Sequence, residues 1–134
     1  MYKTKFVISL MILLIVGCGK MTDIMTTDRF EKTLKAYRNV LLLSDLEKAY
    51  YFGKPSETEK NPPDLEKFRQ IKIVSYEVKR VKQTESDSQV KRTVHISYYR
   101  TDEMKQRTFR GDELWEYDKE KKIWYLKSGL PDFK

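Results

Sequence analysis

The chain is 134 residues long and carries 27 Lys and Arg against 20 Asp and Glu, a formal net charge of +7, with one Cys and one His. A single cysteine excludes an internal disulfide, and with a single histidine it leaves too few soft ligands for a zinc site, so no metal or cofactor is expected. The length suits one domain behind a leader, and the mixture of charged and apolar residues is that of a globular protein.

Lys3 and Lys5 form a short positive region, Phe6 to Val16 follows as an 11-residue apolar run broken only by Ser9, and Gly17, Cys18 and Gly19 come next. A charged start, a greasy middle and a small residue before the cut are the layout of a secretory signal. A membrane-spanning helix needs about 20 apolar residues, so this run is too short to be a permanent anchor. The segment Ile15-Val16-Gly17-Cys18 resembles the lipobox of bacterial lipoproteins, and the resemblance covers residues 1–18. It implies a signal peptide over residues 1–17, cleavage between Gly17 and Cys18, a diacylglycerol on the Cys18 thiol, and often a third acyl chain such as palmitate on the freed amine. Two chains anchor stably where one binds only marginally. By the same resemblance the protein belongs to the cell envelope. Gly19, not Asp, follows the cysteine, which implies the outer membrane, facing the periplasm, if the source has two membranes.

Without Lys3 and Lys5 the 27 basic residues fall to 25 against 20 acidic ones, so the chain from Cys18 carries +5. Outside the cytoplasm such an excess suits anionic lipid headgroups, lipopolysaccharide or acidic glycans, and no nucleic-acid partner is expected. A solvated, mixed-charge surface is the simpler reading.

Residues 18–27 lack a periodic pattern and read as a lipidated N-terminus and flexible tether, with one domain over residues 28–134. A helix is expected from Asp28, where Asp28 and Glu31 match a capping box. Phe30, Leu34, Tyr37 and Leu41 share its apolar face. Ser44-Asp45-Leu46-Glu47 is a second start signal, giving a bend near Leu43 and a second helix through Leu46, Ala49, Tyr50 and Phe52 that Gly53 and Pro55 stop. Pro55 to Asn61 reads as a polar loop, and Pro62-Pro63-Asp64 opens a short third helix anchored by Leu65 and Phe68.

From Ile71 the period becomes two. Val74, Tyr76 and Val78 alternate with polar residues, Thr84 to Ser88 is a turn, and Val90, Val94, Ile96 and Tyr98 alternate again, the pattern of an antiparallel hairpin. Folding at Ser86 places Val78 opposite Val94 and Tyr76 opposite Ile96. A slip of two residues keeps the same face, so the pattern fixes the face and not the register. A third strand is expected from Met104 to Phe109, with a bulge or bend at Gly111-Asp112 and continuation through Leu114 to Tyr117. Asp118 to Lys121 reads as the last turn and Ile123 to Leu126 as the last strand, which pairs Trp115 with Trp124. Leu130, Pro131 and Phe133 close the chain.

Helices first and a meander of about four antiparallel strands after them give an α+β fold, with the helices packed on one face of a curved sheet. This order over residues 28–127 resembles the nuclear-transport-factor-2-like cone fold, also called cystatin-like. That family spans enzymes, binding modules and assembly subunits, so the resemblance does not decide function.

Four features hold candidate chemistry. His95 lies on the polar parity of its strand beside Glu77, a pair able to tune a general base; an ordinary strand residue on a half-wet face is the simpler reading. With 9 Tyr, 6 Phe and 2 Trp, aromatics such as Tyr76, Tyr98, Trp115 and Trp124 would line a ligand cavity if the cone were open, or pack the core if it were filled. Lys79, Arg80, Lys82, Lys91, Arg92, Arg100, Lys105, Arg107 and Arg110 crowd the central strands, as a binding stripe or as a guard against edge-to-edge aggregation. Cys18 is the lipid site. The leading expectation is a membrane-anchored, non-catalytic binding or assembly module that holds an envelope protein or an anionic glycan or lipid. The alternatives are a cone that binds or transforms a small lipid- or sugar-like molecule, as an isomerase or dehydratase would, and an inhibitor of an envelope hydrolase.

Overall fold

The computed structural model describes residues 18–134, with side chains from Thr27 onward; the expected signal peptide over residues 1–17, with its cleavage residue Gly17, lies outside the described residues. Four helices precede four strands: α1 (Cys18–Leu42), α2 (Leu46–Tyr50), α3 (Pro55–Thr58), α4 (Leu65–Gln70), β1 (Ile71–Gln83), β2 (Gln89–Arg100), β3 (Gln106–Asp118) and β4 (Ile123–Leu126). The strands form one antiparallel meander in the order β1-β2-β3-β4, and the fold is α+β. Among the described residues no helix is long and apolar enough to cross a membrane.

The helix α1 starts ten residues before the expected N-cap and runs through the stretch read as a tether. Asp28 lies inside it, 3.0 Å from Lys32 one turn on. An acidic residue with a lysine four places later is as well accommodated within a helix as at its start, so the capping-box pattern misplaced the boundary. At the other end the bend near Leu43 is real. Ser44 takes a left-handed φ of 58°, its N–H donates to the Leu41 carbonyl (2.8 Å), and the Asp45 N–H donates to the Val40 carbonyl (2.9 Å). These two bonds are a Schellman closure with serine where glycine is usual. Asp45, not Ser44, then caps α2 by accepting from the Lys48 N–H. The Ser44 hydroxyl instead accepts from the Ile73 N–H at 2.9 Å and ties the bend to β1. Pro55 opens a single helical turn inside the expected loop. Asp64 caps α4, where Phe68 packs on the core and Leu65 stays exposed.

The hairpin has the expected register, with Tyr76 opposite Ile96, Glu77 opposite His95 and Val78 opposite Val94. Its irregularities lie in β1, between Ile73 and Ser75 and between Val78 and Arg80. The first bulge switches the buried parity from Ile71 and Ile73 to Tyr76, and leaves Val74 exposed. The strand β3, by contrast, pairs with β2 without interruption from Gln106 to Glu116, so no bulge sits at Gly111-Asp112. Gly111 serves another purpose: the Phe109 ring lies over it, and a Cβ there would fall 2.5 Å from Phe109 Cζ. The last register also differs from expectation. Trp115 pairs with Leu126, and Trp124 pairs with Tyr117. The loop is Lys119 to Lys122, with the Asp118 carboxylate accepting from the Glu120 and Lys121 N–H groups (3.0 Å each) and Lys122 at a φ of 56°.

One face of the sheet, the inner one, packs on the helices. Tyr37 of α1 is fully buried edge-on to Tyr76 (6.2 Å) and Trp115 (5.2 Å). Phe30 lies 6.1 Å from Trp115 and 4.2 Å from Trp124. The two indoles therefore share a face but meet through Phe30. The tail returns across β2 and β3, where Phe133 is buried against Tyr98 at 4.9 Å. Among the described residues the core runs from Phe30 to Phe133.

Candidate functional site: a buried carboxylate and its donors

The inner face of β2 presents Val90, Arg92, Val94, Ile96 and Tyr98, since these alternate residues are buried. Their partners on β3 are Trp115, Glu113, Gly111, Phe109 and Arg107. Strand parity thus puts an arginine and a glutamate in the middle of an otherwise apolar layer. Glu113 is 1% exposed and Arg92 is 9% exposed. Taking a carboxylate out of water is costly unless its oxygens are engaged. Here the Tyr76 hydroxyl reaches both Glu113 oxygens (3.0 and 2.9 Å), and the Trp115 indole N–H donates to Oε2 at 3.2 Å. Arg92 lies 3.9 Å from Oε2 as the ion partner.

Burial raises the Glu113 pKa above the ordinary carboxylate value, and the Trp115 and Tyr76 hydrogen bonds and the Arg92 charge pull against that shift. Tyr76 in turn is held strongly toward its neutral form by burial and by the nearby Glu113 charge. Tyr37 is shifted the same way by burial first and Glu113 next, and its hydroxyl has no hydrogen-bond partner among the described residues. The result is a polar knot of five side chains from α1 and three strands. It combines a carboxyl of raised pKa with two phenols, features that also mark catalytic acids and bases. Access decides between the two readings. Glu113 is 1% exposed, and it lines neither of two surface depressions of about 630 and 540 Å³. The first is an apolar trough between α1 (Ala36, Val40), Phe52 and the β4 residues Trp124 and Tyr125.

The residues singled out in the sequence fall in different places. Tyr76, Tyr98, Trp115 and Trp124 are all buried on the inner face. Tyr76 and Trp115 are donors to Glu113, while the Tyr98 hydroxyl donates to the Lys134 carbonyl at 3.0 Å. His95 and Glu77 are opposite one another on the outer face, but the Glu77 carboxylate is taken by Lys79 at 2.5 Å, and Arg110 flanks His95 on the other side. The Glu77 carboxylate is thus shared between Lys79 and the His95 side of the register. The crowd of cations is also divided. Arg92 is buried with Glu113, Arg100 pairs with Asp102 (2.8 Å), Arg107 with Glu103 (2.5 Å) and Lys91 with Asp112 (3.2 Å). Arg80, Lys82, Lys105 and Arg110 have no ion pair within 4.0 Å among the described residues. Among those residues no group of three or more His, Cys, Asp or Glu is placed to hold a metal ion.

Glu113 carried no motif, yet a signal was present. It sits two residues from Trp115 and four from Phe109 on one strand parity, as Arg92 sits between Val90 and Val94. Comparison with known proteins adds nothing to this geometry: no family model, no curated protein and no solved structure matches the chain.

Proposed function

We propose that the protein is a lipid-anchored envelope lipoprotein, attached through Cys18, whose domain is a non-catalytic binding or assembly module. The observation that supports the non-catalytic reading is the filled inner face. In the cone-fold enzymes that the element order resembles, the chemistry occurs in the interior. Here Tyr37, Trp115 and Phe133 occupy that space at 0–2% exposure, and Glu113 spends its oxygens on internal donors. The hydrogen bonds that Tyr76 and Trp115 make to Glu113 tie β1 to β3 and rigidify the core, which suits a scaffold that must present a fixed surface. The test is isolation of the native protein from detergent-solubilised membranes. A companion retained at fixed stoichiometry through two chromatography steps, and lost from the membrane fraction with Cys18→Ser, is the expected result. A lone, soluble, unlipidated chain would contradict it.

The trough of about 630 Å³ favours a second reading, binding of a small apolar molecule, because its size falls within the range of ligand pockets and its walls are largely apolar. Quenching of Trp124 fluorescence by an added fatty acid would reveal it.

A further inference from the structure

The outer face of the sheet is rich in cations, and α3 reaches it at the β3–β4 end, where Lys54 pairs with Glu116. The register aligns its residues in rows across β1, β2 and β3: Lys82, Lys91 and Leu114; Arg80, Thr93 and Asp112; Glu77, His95 and Arg110; Ser75, Ser97 and Thr108; Lys72, Tyr99 and Gln106. Lys79 joins the third row through its ion pair with Glu77. Six cations therefore share this face with Glu77 and Asp112, and the adjoining Gln89–Glu116 pair adds a third carboxylate that Lys54 and Lys127 engage. Asp112 is already engaged by Thr93 (2.7 Å) and Lys91 (3.2 Å), and Glu77 by Lys79. Arg80, Lys82 and Arg110 have no ion pair within 4.0 Å among the described residues, although the Arg80 charge acts on Asp112.

One pairing is unfavourable for the fold. Lys82 stands directly opposite Lys91, and like charges opposed in an antiparallel pair destabilise a sheet. A bound polyanion would reverse that sign. Between the cations the middle strand shows Thr93, His95, Ser97 and Tyr99, all half-buried, which offers hydroxyls, an imidazole and a ring at intervals of about 7 Å along the strand. The rows contain only one apolar residue, Leu114, whereas the centre of a protein–protein interface is depleted of charge. The face also lies across the sheet from α1, the helix that starts at Cys18, so it points away from the anchoring element.

We propose that this outer face binds a linear anionic glycan laid along the strands, with Arg80, Lys82, Lys91 and Arg110 meeting its charges and Thr93, Ser97 and Tyr99 meeting its sugar hydroxyls and rings. The inference rests on the binding-module reading and gives it a ligand class.

The test uses the full chain in detergent and fluorescently labelled polygalacturonate, with neutral dextran, phosphatidylglycerol vesicles and single-stranded DNA as competitors. The triple variant Arg80→Gln, Lys82→Gln, Arg110→Gln is compared with a charge-matched triple, Lys35→Gln, Lys60→Gln, Lys119→Gln, whose residues are exposed elsewhere. All six positions are surface residues, and a thermal melt confirms that each variant folds. The expected result is binding weakened on the order of tenfold or more by the first triple and less than about twofold by the second, with loss of affinity at high salt. Equal losses in both triples, no loss in either, competition by dextran, or stronger competition by vesicles or DNA than by unlabelled glycan at equal charge would each overturn it. If the glycan result fails while the stoichiometric companion stays bound to the first triple variant, the ligand class falls and the module reading stands.

Discussion

Removing the Tyr76 hydroxyl tests the polar knot with almost no change in volume. Tyr76→Phe deletes the one donor that reaches both Glu113 oxygens, at 3.0 and 2.9 Å, in surroundings where the carboxylate is 1% exposed and water cannot substitute. A hydrogen bond to a charged group contributes about 1.5–3 kcal/mol, so a loss of about 2 kcal/mol is expected where Glu113 is ionised. The pH dependence follows from the sign of the shift. Burial already holds the Glu113 pKa above its unfolded value, and the Tyr76 hydrogen bond is one of the effects that lowers it; without that bond it rises further. A carboxyl with a raised folded pKa contributes stability that is present below the unfolded pKa and lost as pH rises through the folded one. The cost of Tyr76→Phe should therefore be greatest at alkaline pH and shrink as the pH falls into the carboxylate range. Urea denaturation across that range, in the wild-type and Glu113→Gln backgrounds, reads both effects. Coupling of about 1 kcal/mol or more between the two substitutions is expected, since they share one contact. A cost below about 0.5 kcal/mol at every pH, or the same cost in the Glu113→Gln background, would refute the reasoning.

Three further substitutions probe the packing. Trp115→Ala, at a fully buried site touching Phe30, Tyr37 and Phe52, should cost about 3–5 kcal/mol by urea denaturation, more than Trp124→Ala on the short edge strand; the reverse order would count against the core as described. Gly111→Ala should lose about 1–3 kcal/mol, because the new Cβ meets the Phe109 ring at 2.5 Å, and a neutral result would return Gly111 to a simple bend. Phe133→Ala removes a side chain 2% exposed and should cost about 3 kcal/mol or more and expose Tyr98 to solvent; unchanged stability would mean that the tail is not part of the core.

Much of this fold could be read from period and punctuation. The face of α1 formed by Phe30, Leu34, Tyr37 and Leu41 packs on the core as expected, and the pairs from Ser75 to Val78 are those that folding at Ser86 gives. The errors trace to backbone states that side-chain type signals poorly. Ser44 and Lys122 adopt left-handed φ values that glycine would have announced. Lys122 moves the last loop one residue along, so Trp115 and Trp124 keep their common face but not their pairing. The bulges in β1 were hidden because Val74, Val78 and Val81 look alike whether buried or exposed, and all three are exposed. The inner-face site is the least legible part, because charge ordinarily signals solvent. Arg92 stands among other cations and Glu113 in no motif, although both have the strand parity of buried neighbours. Side-chain parity outranks polarity once a carboxylate has two donors and a guanidinium to face.

The proposed lipid anchor at Cys18 decides whether the domain meets envelope partners at all. Intact-mass spectrometry of the protein purified from its native membranes tests it directly. The expected species starts at Cys18 and carries a diacylglyceryl thioether, with or without a third acyl chain on the amine. A chain that retains Met1, or one that starts at Cys18 with an unmodified thiol, would contradict the lipoprotein assignment and the envelope role built on it.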